Sequence, residues 1–85
     1  MIPYSIRYTR DATQAIYQIE RGIAGEVTLA IKSLRDDPKP FRCFALDDPP
    51  NVYVIKVSEY YVTYAINDES HTIIIVLIEP ATTGN

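Results

Sequence analysis

The last third of the chain consists of β-forming runs separated by very short breaks. The runs cover residues 52–57, 60–66 and 72–78, with Ser58-Glu59 and residues 67–70 between them. Connections this short join antiparallel neighbours, because a crossover between parallel strands needs a dozen or more residues. The pattern therefore predicts an antiparallel meander of three strands.

The first half of the chain predicts one strand followed by two helices. Residues 4–8 alternate as a strand, and Thr9 is suited to cap the helix that follows. Apolar residues recur at i, i+3, i+4 and i+7 in both helices: Ala12, Ala15, Ile16 and Ile19 in the first, and Val27, Ala30, Ile31 and Leu34 in the second. Glycines place the joint between the helices at residues 21–25, and Pro38 ends the second helix.

These elements predict one α+β domain over residues 1–85. A short strand at residues 41–46 and an irregular loop at 47–51 precede the meander, so the order is β-α-α-β-β-β-β. Two antiparallel helices are expected to pack on one face of a mainly antiparallel sheet. Residues 79–85 have no pattern, and we expect 80–85 to be a frayed tail.

Alternation along the strands assigns the two faces of this sheet. The apolar set, expected beneath the helices, is Tyr53, Ile55, Val57, Tyr60, Val62, Tyr64 and Ile66. Val54, Lys56, Tyr61 and Thr63 are then expected to point away from the helices. The last strand is apolar on both faces, which predicts an interior position in the sheet. Because the outward face is too apolar for a solitary 85-residue monomer, we expect a partner chain over it.

Composition and charge argue against a disordered chain and against a general nucleic-acid-binding protein. Hydrophobic residues make up 47% of the chain, which is typical of a folded domain. The net charge of −3 disfavours binding that depends on neutralising nucleic-acid phosphates. Four of the eight basic residues nevertheless fall between Lys32 and Arg42, so Arg35, Lys39 and Arg42 could form a local edge toward RNA, meet acidic side chains of a partner, or simply be solvated.

Membrane, export and metal signals are lacking in the sequence. The longest apolar run is far shorter than the ~20 residues of a membrane span, and no export signal precedes the first strand. Cys43 is the only cysteine, so it cannot form an internal disulfide. We expect a cytoplasmic protein that does not enter membranes and has neither metal nor cofactor.

The order and spacing of these elements resemble the RelE/ParE-like toxins of bacterial and archaeal toxin–antitoxin systems. The resemblance covers nearly the whole chain. It rests on the strand “YSIRYT” (4–9), the helix start “RDA” (10–12), the helix end “IKSLRDDPKP” (31–40), the hairpin “VYVIKVSEYYVTYAIND” (52–68) and the strand “TIIIVLI” (72–78). It implies a toxin that is neutralised by a cognate antitoxin protein.

For ribosome-dependent members, the resemblance implies an mRNA endoribonuclease that works without metal. Basic and tyrosine side chains on the outward sheet face act there on the scissile phosphate. In this chain the hairpin's arginine positions fall on Val54, Lys56 and Tyr61, and a late His-Arg pair falls on Glu79 and Pro80. The resemblance therefore implies that mRNA cleavage is weakened or lost, and a carboxylate at Glu79 is expected to repel phosphate.

Two residues remain as candidates for catalysis in this comparison. Lys56 would steady the phosphate, and Tyr61 would donate or relay a proton. The candidate residues for binding RNA or a partner are Arg35, Lys39, Arg42, Val54 and Tyr60. Lys56, Tyr60 and Tyr61 could equally be a solvated lysine and two packing tyrosines, and we favour that structural role.

Other reactive side chains are expected to have no catalytic role. His71, at a hairpin end without an evident partner, is expected to be a surface residue, and Cys43 is expected to fill space in the core. Glu59 and Glu79 could form a carboxylate pair, but charge in the tight turn at Glu59 needs no catalytic explanation. We expect no catalysis from any of these groups.

Two further functions stay open from the sequence. One is a gyrase-directed inhibitor of the ParE-like branch, which acts through protein contact and needs no catalytic arginines. The other is an inactive binding module that forms a homodimer through its outward sheet face. The sequence does not choose between the ribosome with its mRNA and DNA gyrase as the target.

Overall fold

Within residues 2–81, which the computed structural model describes, two helices and five strands follow the predicted order. The elements are β1 (Ser5–Tyr8), α1 (Arg10–Gln18), α2 (Arg21–Ser33), β2 (Phe44–Leu46), β3 (Val52–Val57), β4 (Tyr60–Asn67) and β5 (Thr72–Pro80). The strands form one sheet in the order β1-β5-β4-β3-β2. The predicted α+β architecture is confirmed.

The sheet is antiparallel except at one edge. β3, β4 and β5 form the predicted meander, and β2 extends it antiparallel to β3. β1 pairs with β5 in parallel. Parallel pairing needs a long connection between the strands, and the chain between β1 and β5 includes both helices. The interior position predicted for the last strand is confirmed, since β5 lies between β1 and β4.

The start of α1 is capped as predicted, but the joint between the helices lies elsewhere. The Thr9 hydroxyl oxygen accepts a hydrogen bond from the Ala12 amide at 3.1 Å. α1 ends at Gln18, and α2 begins at Arg21, so the predicted joint at residues 21–25 is wrong. Glycine weakens a helix by only about 1 kcal/mol, and the apolar stripe of α2 packs against the sheet strongly enough to exceed that.

The core lies between the helices and one face of the sheet. The helices contribute buried Ala12, Val27 and Ile31, together with Leu34, which caps α2. From the sheet, the buried side chains are Ile55, Val57, Val62, Tyr64, Ile66, Ile73, Ile75 and Ile78. The predicted apolar face of β3 and β4 is therefore confirmed.

A β-bulge in β5 changes which side chains the end of the sheet buries. Thr63 pairs with Leu77 and Tyr64 with Ile75, so Val76 is an extra residue without a partner in β4. Strict alternation placed Leu77 with Ile75 on one face, whereas the structure buries Ile78 and exposes Leu77. The sequence carries no signal for this shift, because residues 73–78 are all aliphatic.

The ends of two strands also differ from the prediction. β2 covers only Phe44–Leu46, because a turn closed by the Cys43 amide on the Pro40 carbonyl (3.0 Å) occupies residues 40–43. β5 continues to Pro80, which pairs with Tyr60, so a frayed tail from residue 80 is wrong. β1 ends at Tyr8, which pairs with Ile75, so no strand lies on the outer side of β5 at Pro80. Proline is tolerated at this position because no neighbouring strand there needs its backbone donor. Residues 82–85 lie outside the described part of the chain.

Candidate functional site

The sheet face opposite the helices is the candidate site, and we call it the open face. Residues opposite each other in register share a face, so strand pairing assigns its side chains. They are Ser5 and Arg7 of β1, Thr72, Ile74, Leu77 and Glu79 of β5, Tyr61, Thr63, Ala65 and Asn67 of β4, Val52, Val54 and Lys56 of β3, and Phe44 and Leu46 of β2. The predicted outward position of Val54, Lys56, Tyr61 and Thr63 is confirmed.

Apolar side chains dominate the middle of the open face. Phe44 is 58% exposed and Leu77 is 37% exposed, and Val54 and Thr63 lie between them in the same row. Neither helix packs on this side of the sheet, since both bury their stripes against the opposite side. Exposed apolar side chains on a sheet face that neither helix covers make this face a candidate interaction site.

Polar groups of the open face meet in one row at its end. Lys56 pairs with Tyr61, and Tyr61 pairs with Glu79. Because neighbouring strands are about 4.8 Å apart, Lys56 and Glu79 flank Tyr61 at roughly that spacing. Lys56 and Glu79 are exposed and Tyr61 is half-buried. The sequence placed Lys56 and Tyr61 on this face, but its pattern ended the last strand before Glu79, so the pairing of Glu79 with Tyr61 was not predicted.

Tyr60 and Val54 do not share a row with Lys56. Tyr60 pairs with Val57 and packs against the core cluster, so its side chain is on the helical side of the sheet. Val54 is on the open face, opposite Thr63. Of the two tyrosines predicted beside Lys56, only Tyr61 lies on its face.

The basic residues of the loop between α2 and β2 (residues 34–43) are spread across the molecule. The Arg35 carbonyl accepts a hydrogen bond from the Tyr4 amide at 3.0 Å, next to β1. Lys39 Nζ lies 5.5 Å from the centroid of the Tyr53 ring, on the helical side of the sheet. Arg42 precedes β2 at the opposite sheet edge, beside fully exposed Phe41. The roles of Arg35, Lys39 and Arg42 in binding stay predictions.

A second polar cluster joins the N-terminal segment to the turn before β5. The Tyr4 ring stacks on the His71 ring with centroids 3.9 Å apart, and the Tyr4 hydroxyl donates to Asp68 at 2.7 Å. This hydrogen bond raises the pKa of Tyr4, with smaller contributions from burial and from the Asp68 charge. His71 Nε2 lies 2.6 Å from the Ile2 carbonyl, so that nitrogen carries a hydrogen. These partners give His71 a structural role that the sequence did not reveal.

Neither metal ligands nor membrane-spanning helices are found in the part of the chain that the structure describes. Among residues 2–81, histidine, cysteine and carboxylate side chains do not gather in a group of three or more that could hold a metal ion. No helix in that range is both long enough and apolar enough to cross a membrane. On the strands of the open face, the ionisable side chains are those of Arg7, Lys56, Tyr61 and Glu79.

Solved structures with the same architecture were found by comparison. The archaeal RelE in its RelE-RelB complex from Pyrococcus horikoshii OT3 superposes with a TM-score of 0.85 at 17% identity, covering 98% of this chain and 100% of that chain. The protein has a RelE-like fold. The isolated E. coli RelE toxin gives a TM-score of 0.84 at 17% identity, with 96% of this chain and 88% of that chain covered.

A third structure of this fold is the toxin-antitoxin complex RelBE2 from Mycobacterium tuberculosis. Its TM-score is 0.82 at 21% identity, and the match covers 93% of this chain and 99% of that chain. No family model matches the sequence, and no curated protein matches it. At these identities the likeness establishes the RelE-like fold, and the function has to be argued from the site.

Proposed function

We propose that this protein is a cytoplasmic toxin of a type II toxin–antitoxin system, neutralised by an antitoxin protein that covers the open face. The exposed side chains of Phe44 and Leu77, in one row with half-buried Val54, are the observation that carries the proposal, because a partner chain is needed to remove them from water. The RelE-like fold supports it, since two of the three similar structures described above are the toxin-antitoxin complex RelBE2 and an archaeal RelE-RelB complex.

We further propose that ribonuclease activity is weak in this toxin. Cleavage through the 2′-hydroxyl of RNA places extra negative charge on the phosphate, and each missing preorganised donor costs on the order of 2.7–4 kcal/mol of barrier. The resemblance places family cations at Val54, Tyr61 and Pro80, where this chain has none. Lys56 remains to contact the phosphate, and Arg7 lies on β1 at the far side of the open face.

Growth of a bacterial host tests the proposal. Induction of the chain alone is expected to arrest growth, and co-expression of the protein encoded beside it in its genome is expected to restore growth. The two proteins should also co-purify as one complex. Unimpaired growth under strong induction, with no complex formed, would contradict the proposal.

A second candidate is inhibition of DNA gyrase by protein contact. The open face favours this function because its middle is apolar, while Arg7 and Lys56 lie at its margins. A supercoiling assay beside a cleavage assay on translating ribosomes separates the two targets. A homodimer through the open face is a different alternative, and sedimentation of the isolated chain as a monomer at all concentrations would remove it.

A further inference from the structure

Within the described part of the chain, the row of Lys56, Tyr61 and Glu79 has no further strand on either side. β2 covers β3 only from Val52 to Val54, so Lys56 has no strand outside it. β1 covers β5 only from Thr72 to Ile75, so the flank of Glu79 is not covered by a strand either. A phosphodiester can therefore approach the row from above and extend past both sides without meeting another strand.

We propose that Glu79 is the general base of the residual RNA cleavage, acting with Tyr61 and Lys56. This inference rests on the proposed function, because it assumes the ribonuclease activity that accompanies the toxin. It gives the Glu79 carboxylate a role opposite to the repulsion of phosphate expected from the sequence. A carboxylate on the neighbouring strand to a phenol supplies the one group that the candidates from the sequence lacked, a proton acceptor.

The reaction is a transesterification within the RNA strand. Glu79 takes the proton from the 2′-hydroxyl, the 2′-oxygen forms a bond to phosphorus, and the bond from phosphorus to the 5′-oxygen breaks. Tyr61 gives its phenolic proton to the departing 5′-oxygen, and solvent then carries the proton held by Glu79 to the Tyr61 phenolate, so both groups return to their starting state. The products are a 2′,3′-cyclic phosphate and a 5′-hydroxyl end, and no external oxidant, reductant or metal is consumed.

The register places these groups as that reaction requires. The attacking and departing oxygens lie on opposite sides of phosphorus, so the base and the acid must flank the phosphate. Glu79 and Tyr61 project from neighbouring strands on the same face, about 4.8 Å apart at the backbone. Lys56, on the other side of Tyr61, can contact the non-bridging oxygens with its flexible ammonium group.

The sign of one substitution separates the two roles of Glu79. If Glu79 is the base, Glu79→Gln lowers the cleavage rate of an oligoribonucleotide or of mRNA on translating ribosomes, by roughly 10²-fold or more. If Glu79 only repels phosphate, the same substitution raises the rate. Glu26→Gln removes an exposed carboxylate from α2 and serves as the matched control, with no change expected. Thermal unfolding of each variant shows whether it remains folded.

A substrate with sulfur in place of the 5′-oxygen assigns the proton acceptor and the proton donor. A thiolate leaves without being protonated, so this substrate should restore cleavage to Tyr61→Phe and not to Glu79→Gln. An unchanged or increased rate in Glu79→Gln, or no cleavage by the unaltered protein, would overturn the inference. Growth arrest and its relief by the antitoxin are measured separately, so either result leaves the test of the proposed toxin function intact.

Discussion

Tyr64 is the residue on which the interior of the sheet and the loop between α2 and β2 converge. Its ring is fully buried on β4, stacks on Tyr53 with centroids 6.0 Å apart, and its hydroxyl donates to the Pro38 carbonyl at 2.8 Å. The hydrogen bond satisfies the one polar atom of a large buried side chain. Burial raises the pKa of the Tyr64 phenol, with a smaller contribution from the neighbouring Cys43.

Removing that hydroxyl should destabilise the fold. Tyr64→Phe leaves the Pro38 carbonyl without its partner, and we expect a loss of about 1–2 kcal/mol in the free energy of unfolding. Urea denaturation measures it. Tyr17→Phe is the control, because Tyr17 is exposed on α1 and its change should be within experimental error.

The raised pKa of Tyr64 also predicts an alkaline limit to stability. The folded phenol stays neutral above pH 10, where the unfolded phenol ionises, so the free energy of unfolding is intact below that pH and falls above it. Tyr4 and Tyr8 have pKa values shifted in the same direction and add to the effect. The decline should be shallower in Tyr64→Phe, and an equal decline in both proteins would show that Tyr64 does not contribute.

Lys56 is the residue whose removal tests the catalytic assignment. Lys56→Ala deletes a cation from an exposed position on β3, so the fold should survive. Any RNA cleavage should fall by about 10²-fold, the usual effect of losing one charge-stabilising donor. Retention of full activity in a cleavage assay would show that the phosphate is held elsewhere.

At the scale of elements, Thr9 connects a helix to the sheet. Its hydroxyl group accepts a hydrogen bond from the Ala12 amide at the start of α1. The same hydroxyl donates a hydrogen bond of 2.7 Å to the carbonyl of Val76, at the bulge of β5. Thr9→Ala removes both bonds, and we expect it to cost about 1–2 kcal/mol of stability. Thr9→Ser keeps the oxygen and should retain most of it. A loss of less than a few tenths of a kcal/mol in Thr9→Ala would contradict the capping role.

The elements could be predicted from the sequence where pattern and local chemistry agreed. The period of the two apolar stripes, the Thr9 cap and the alternation of β3 and β4 were sufficient to predict the helices and the two faces of the sheet. Gly22 and Gly25 misled the prediction, because their low helix propensity is weaker than the packing of α2.

The candidate site was less predictable because it depends on register. The bulge at Val76 lies inside an all-aliphatic run, where no polar residue marks a change of face. The pattern predicted that the last strand ends at Ile78, whereas β5 continues for two more residues to Pro80. Proline is excluded only from strand positions that need a backbone donor. The pairing of Glu79 with Tyr61 could therefore not be predicted from alternation alone.

At the scale of the whole molecule, the two layers leave one side of the sheet unused by the fold. The helices bury one face, and the other presents Phe44 and Leu77 to solvent beside half-buried Val54. Leu29 of α2 is exposed as well, but the positions one helical turn away hold exposed Glu26 and Lys32. We therefore expect the proposed antitoxin to bind the open face rather than α2.

The most direct test of antitoxin binding at the open face is to measure the affinity of the neighbouring gene's product for two variants of this protein. Leu77→Glu places a charge in the middle of the open face and should weaken binding by about 10²-fold, because a carboxylate would be buried without a partner. Leu29→Glu changes an exposed leucine of α2 and should leave the affinity within about threefold. Binding that is unaffected by Leu77→Glu, or that depends on Leu29 instead, would contradict the account.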